Sequence, residues 1–424
     1  MRKIILIFIV AFAINFIAHA QPSNLYTSYT TSQSRAHLYR NLLNTINKNL
    51  SRELNDSSED YWQQAFLAIE LLGYKQPWIE KKVEHTFDSI TTRSPGFQVG
   101  LLELINANYP FQFIPQAQDL LKHSDNTRIF SIAAAYILRE LDTEAEVINA
   151  LLVSKFAQQA KTDPVLIMLQ AQINALQHPG SEIKNHRLLK DLFSKNFLPG
   201  NIVLYSLQRK NRDFPGIAII RNANGEFLQD SLGNLFSVPQ LARSISGLPA
   251  YISNGNTPQG IFRMTGFDVS SNNFIGPTPN IQLKLPFEIN PQKFLKDSLF
   301  TDTVWEISEY KKLLPKNLQN YLPLYNTYYA GQAGRTEIIA HGTTVNPDYY
   351  KNTSYYPHTP SQGCLSTKET WNGKLIQSDQ QQLVYALLRA GGANGYCVVV
   401  EIDDKDEPVS QVDVLPLLPA TSSK

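Results

Sequence analysis

The chain of 424 residues carries 38 Lys and Arg against 37 Asp and Glu, is 43% hydrophobic, and contains two cysteines. A balance so close to neutral excludes a nucleic-acid binder driven by phosphate neutralisation, and 18% charged with 11% aromatic residues excludes a disordered chain. Two cysteines over this length exclude a disulfide scaffold, and at roughly 100 to 200 residues per domain there is room for two or three domains with cores of their own.

The first twenty residues read as an export signal. Arg2 and Lys3 supply the positive end, Ile4 to Ile14 is an apolar run too short to span a bilayer with margin, and Ala18-His19-Ala20 has the small-x-small pattern of a cleavage site. A mature chain is expected from Gln21, with 36 basic against 37 acidic residues. No later stretch approaches the roughly 20 apolar residues of a membrane-spanning helix. The expectation is an exported protein of the periplasm or cell envelope, without stable membrane insertion after signal removal and without a nucleic-acid partner. A single uncleaved anchor is the alternative.

From 21 to 196 the dominant period is helical. Trp62, Ala65, Phe66, Ile69 and Leu72 share one face, as do Ile129, Ile132, Ala133, Tyr136 and Ile137. Asp125 is the expected cap of the second helix. Asp163-Pro164 opens a third, whose stripe of Val165, Leu166, Leu169, Ile173 and Leu176 ends at Pro179-Gly180. Antiparallel helix pairs stacked side by side are expected, as a helical-repeat solenoid or an irregular bundle; no strict repeat period is found.

After Pro199-Gly200 the texture changes. Ile202 to Tyr205, Gly216 to Arg221 and Tyr396 to Ile402 are short runs rich in β-branched residues and tyrosine, and Asn224-Gly225 is a turn signal. One helix is predicted, Gln380 to Arg389, with Gly391-Gly392 just beyond it. The fold class is therefore α+β, an all-α domain over 21–196 followed by a mostly β domain over 197–410, with 411–424 as a frayed tail.

Chemistry concentrates between His341 and Ser366, in the stretch HGTTVNPDYYKNTSYYPHTPSQGCLS. A cysteine is nucleophilic as thiolate, and a histidine or other positive influence beside it favours that form. Gly363 before Cys364 lets backbone N–H groups approach a substrate oxygen. His341 follows Glu337-Ile338-Ile339-Ala340, an expected strand, and is thus aimed from a rigid edge. Separately, Gly-Cys is also a common buried turn and His-Gly a common strand end.

Together these residues resemble the L,D-transpeptidase (YkuD-like) family, in which a His-Gly-[Thr/Ser] segment precedes a Ser/Thr-x-Gly-Cys segment. The matching positions are His341, Gly342, Ser361, Gly363 and Cys364, and Thr257-Pro258-Gln259-Gly260-Ile261-Phe262 matches an upstream strand segment of the same family. The resemblance covers roughly residues 200 to 405. Gln362 stands where the family commonly has histidine, and Ser366 where it commonly has asparagine or arginine.

The resemblance implies a YkuD-like β-sandwich and acyl transfer on peptidoglycan stem peptides through a thioester on Cys364, with 3→3 cross-linking or L,D-carboxypeptidase trimming as outcomes. His341 would serve as base and then acid. Amides near Gly363 and Cys364 would hold the oxyanion, and Ser361 would support the turn or the histidine. No metal or organic cofactor is required. Tyr349, Tyr350, Tyr355, Tyr356, His358 and Gln362 are candidate substrate contacts, although a tyrosine-rich loop is also often self-packed. The expected partner is peptidoglycan, with the helical half available to recruit a protein; a non-catalytic wall-binding scaffold is the second reading. Two rivals bear on the cysteine: zinc held by His341, His358 and Cys364, and a Cys364–Cys397 disulfide. Cys397 lies in an apolar strand, which favours free thiols.

Overall fold

The computed structural model describes residues 24–178, 186–297 and 303–419. The export signal and the Pro179-Gly180 helix stop lie outside them.

Eight helices of at least two and a half turns build the first half: α1 (Ser32–Leu50), α2 (Glu59–Leu72), α3 (Pro77–Thr86), α4 (Pro95–Asn108), α5 (Ile114–His123), α6 (Thr127–Glu140), α7 (Ala145–Phe156) and α8 (Pro164–Gln177). The stripes expected on α2 and α6 are buried throughout, and Gly73, at φ 56°, ends α2 in the left-handed conformation that glycine adopts without strain. Asp163 caps α8 by accepting from the Val165 and Leu166 amides. The cap of α6 is Asn126 rather than Asp125: its side chain accepts from the Arg128 and Ile129 amides, and Asp125 stands one residue too early to reach them. Helices α2, α4, α6 and α8 pack in a row, with α1 on α2, α5 on α6 and α7 on α8. This is a side-by-side stack of helix pairs.

A four-residue helix, α9 (His186–Leu189), leads into the second half. Leu189, Leu192, Phe193 and Phe197 join the core of the β half, so the packing changes hands before residue 197. The strands are β1 (Val203–Arg209), β2 (Gly216–Arg221), β3 (Val238–Gln240), β4 (Gly260–Asp268), β5 (Asn280–Lys284), β6 (Ile339–Gly342), β7 (Leu365–Thr367), β8 (Glu369–Asn372), β9 (Lys374–Ser378) and β10 (Tyr396–Asp403). Eight form one mixed sheet in the order β3-β2-β1-β10-β4-β5-β6-β7, and β8–β9 is a separate hairpin.

Where a β-sandwich of two facing sheets was expected, the eight-stranded sheet is joined edge to edge. Leu241, directly after β3, exchanges both backbone hydrogen bonds with Ser366 in β7, at 2.8 and 2.9 Å. Its inner face packs Leu204, Ile220, Phe262, Leu283, Ala340, Leu365 and Cys397 against Leu383 and Leu387 of α13 (Asp379–Ala390). The outer face of β1, β2 and β10 is covered by α10 (Pro291–Leu295), α11 (Ile307–Lys312), α12 (Asn326–Gln332) and the C-terminal turns. Those three helices were not expected.

Nor is 411–419 a frayed tail. Within it α14 (Gln411–Val414) buries Val414, with Leu417 just beyond, and Asp413 ties it to the fully buried Arg209 at 2.9 Å. Residues 420–424 lie outside the description. Contacts from both ends of the β half join it to the helical half. Leu248, Tyr251 and Ile252, from the connection between β3 and β4, enter the helical core, and the Tyr251 hydroxyl donates to Gln172 at 2.7 Å. At the other end of the chain, Thr27 N–H donates to Gly373 O at 2.8 Å and Leu375 N–H to Leu25 O at 3.0 Å, adding an N-terminal segment to the β8–β9 hairpin.

Candidate active site

β6 and β7 run parallel, with Ala340 opposite Leu365 and His341 opposite Ser366. Ala340 and Leu365 point into the inner core, so the alternation of a strand sends His341 to the other face. Cys364 lies in the bend directly before β7, and the register carried back one residue sets it level with Ile339, two residues before His341 on β6. Cys364 is partly exposed, and His341 is buried. The His341 Nδ1 lies 2.8 Å from Gly342 O. A carbonyl oxygen only accepts, so Nδ1 carries the hydrogen and Nε2 keeps its lone pair.

The turn that presents Cys364 is bonded from within and from the upstream motif. Ser361 Oγ accepts from Gly363 N–H at 3.2 Å and donates to Cys364 O at 3.0 Å. Thr257 Oγ1 donates to Gly363 O at 3.0 Å, so the Thr-Pro-Gln-Gly segment and the Gly-Cys segment meet. Gly363 has φ 112°, and a Cβ there would collide with the Arg335 guanidinium and lie 2.6 Å from Gly255 O. The Gly363 amide is thus committed to Ser361.

Beneath the thiol runs the approach to β6. Glu337, at φ 60°, turns its carbonyl so that Cys364 Sγ donates to it at 3.7 Å, and the Ile339 amide points at the sulfur. Burial raises the thiol pKa, opposed by the Ile339 amide and by the Arg335 charge, while Glu337 adds to the rise. Burial also lowers the pKa of His341, against the pull of the Gly342 carbonyl. Both directions favour a neutral thiol and a neutral imidazole at rest.

Two neighbours had no signal of their own in the sequence. Arg335 is 6% exposed; its Nη1 donates to Ala250 O and, at 2.9 Å, to Asn256 O, and its Nη2 donates to Gly255 O at 3.0 Å. Glu369, 5% exposed, lays its carboxyl over Gly342 and Gly276, where a Cβ at either glycine would strike it. Ser378 Oγ donates to Glu369 Oε1 at 2.6 Å. Burial, only partly offset by Ser378, Thr278 and Trp371, pushes the Glu369 pKa up to about 7. The clue to both residues is indirect: Gly363 and Gly342 are glycines because Arg335 and Glu369 occupy the space a side chain would need.

The remaining expected residues divide. Tyr349 packs 6.2 Å from the Tyr39 ring, Tyr350 donates its hydroxyl to Leu71 O at 2.9 Å, and Arg243 lies 4.9 Å above the Tyr355 ring. Tyr349 and Tyr350 reach the helical half, Tyr350 and Tyr355 are buried against each other and Leu241, and Tyr356 alone of the four is exposed. Gln362 is exposed beside Cys364. His358 is buried, and burial, aided by Lys368 and opposed by the Tyr355 backbone, pushes its pKa down to about 4. Among the described residues no cluster of three metal-ligating side chains forms, and no helix is long and apolar enough to cross a membrane. Cys364, directly before β7, and Cys397, in β10, are both free and lie four strands apart in the sheet, where no disulfide can join them. No protein-family model, curated protein or solved structure matches this chain.

Proposed function

We propose that this is an exported, YkuD-like L,D-transpeptidase acting on peptidoglycan in the periplasm or cell envelope, with Cys364 as nucleophile and His341 as its base. The observation that carries the reading is that parallel β6 and β7 bring a partly exposed Cys364, directly before β7, alongside the strand that carries a Nδ1-anchored His341. The bond from Thr257 to Gly363, which ties together the two motifs of the family resemblance, supports it further.

In this reading the Cys364 sulfur bonds to the carbonyl carbon of the third stem residue as its proton passes to His341 Nε2. The tetrahedral oxygen takes the Cys364 amide, and the C–N bond to the terminal D-alanine breaks as His341 returns the proton to the leaving amine. A side-chain amine of a second stem then attacks the thioester, giving a 3→3 cross-link and the free thiol; water gives the trimmed tripeptide. The helical half is left to recruit a protein partner. Incubation with disaccharide-tetrapeptides tests this: the wild type releases D-alanine and forms a 3→3 dimer, and Cys364→Ala does neither. Absence of both product and carbapenem acyl adduct from the folded wild type refutes the enzyme and leaves a wall-binding protein.

A further inference from the structure

We propose that Arg335 is a positioning residue of this site: its guanidinium, fixed by three loop carbonyls and seated against Gly363, supplies the positive field that stabilises the Cys364 thiolate. The inference rests on Cys364 being the nucleophile of the proposed reaction.

A buried arginine ordinarily faces a carboxylate, because an uncompensated buried charge is costly. Arg335 is 6% exposed and bonds to the carbonyls of Ala250, Gly255 and Asn256. The group whose charge acts on it is Cys364. Carbonyl dipoles orient the fork but leave its unit charge without a counter-ion. The charge the site does offer is the one that appears when the thiol ionises. The position is also enforced: Gly363 has no side chain, so Nη2 abuts the residue before the nucleophile.

The neighbours on every side leave this task to Arg335. Glu337 is negative and opposes ionisation. The Ile339 amide contributes a dipole, not a charge. His341 is kept neutral by burial and carries no positive charge until it has taken the proton. Burial lowers the Arg335 pKa only to about 10, so it stays charged at neutral pH. A fixed cation within a few ångströms lowers a thiol pKa by roughly one to three units.

The same fork carries a structural message. Ala250, Gly255 and Asn256 belong to the connection whose Leu248, Tyr251 and Ile252 are buried in the helical half. Arg335 therefore joins the nucleophile turn to the segment that docks one half on the other.

The test is the pH dependence of Cys364 alkylation by iodoacetamide, in which thiolate displaces iodide and no peptidoglycan is needed. It is run on the wild type, Arg335→Lys and Arg335→Gln, with folding checked by circular dichroism. Arg335→Gln is expected to raise the inflection by about one unit and slow alkylation at neutral pH about tenfold, while Arg335→Lys stays within about threefold of the wild type. An unshifted inflection in folded Arg335→Gln overturns the proposal, as does a tenfold loss in Arg335→Lys. If Arg335→Gln does not fold, Arg335→Lys decides alone: near-wild-type alkylation supports the charge role, and a tenfold loss overturns it. The two proposals separate cleanly. A shifted thiol without D-alanine release refutes the transpeptidase reading, whereas D-alanine release with an unshifted thiol refutes only the role of Arg335.

Discussion

Replacing Glu369 with glutamine should remove a pH-dependent loss of stability. The carboxyl is buried, has no cation partner, and has its pKa raised from 4.5 to about 7, with Asp379 adding to the rise. This is the reverse of a salt-bridged carboxylate. The native state holds the proton longer than the unfolded state, so the stability of the wild type falls as pH rises from about 4.5 and levels off above about 7. Integrating that proton difference between pH 5 and pH 8 gives about 2.5 kcal/mol. Glutamine keeps an oxygen to accept from Ser378 and has nothing to ionise. Urea unfolding of both proteins at the two pH values provides the measurement. Comparing the difference between proteins at pH 8 with that at pH 5 cancels any fixed cost of the substitution. Glu369→Gln should gain on the wild type by about 2.5 kcal/mol across this range. A gain below about 0.5 kcal/mol would mean that the carboxyl reaches water or a cation in solution, and the argument from its burial would fail.

Gly342→Ala should destabilise by about 1–3 kcal/mol and abolish D-alanine release, because its Cβ meets the Glu369 carboxyl beside His341; adding Glu369→Ala should recover part of the stability in a double-mutant cycle. Thiol titration of the unreduced protein should give one reactive thiol when native and two when unfolded, since Cys397 is fully buried in the inner core and Cys364 partly exposed; no reactive thiol in either state would restore the disulfide. Tyr350→Phe should cost about 1 kcal/mol through loss of the bond to Leu71 O and leave Cys364 alkylation unchanged; a tenfold fall in alkylation would return this tyrosine to the site.

The parts of the fold legible in the sequence are those with a repeating local signal. The stripes on α2, α6 and α8 are apolar at helical spacing, and β2 occupies the run Gly216–Arg221 that its β-branched residues mark. The α10 to α12 region lacks that signal: its helices are five to seven residues long, and its tyrosines and leucines serve a core supplied by distant strands. The site divides in the same way. Cys364, His341 and Gly363 announce themselves because reactive types stand beside glycine. Arg335 and Glu369 do not, since an arginine after Ala333-Gly334 or a glutamate before Thr370 looks like any solvated charge until the chain brings Gly363 and Gly342 against it. The tyrosine loop shows the converse: four aromatic rings near a reactive cysteine read equally as substrate contacts or as self-packing, and Tyr349 and Tyr350 pack toward the helical half while Tyr356 stays exposed.

The pairing of β1 with β10 sets an order of events in folding. Residues 203–209 lie in the middle of the sheet against residues 396–403, and the segment at Leu25 to Thr27 waits for the hairpin around Gly373. Closing loops of this length is slow compared with pairing neighbours in sequence. The helical stack can form as it is synthesised, whereas the sheet has no centre until almost the whole chain exists. A chain that stopped before residue 396 would keep His341 and Cys364 in its sequence and lack the strand on which their support is assembled.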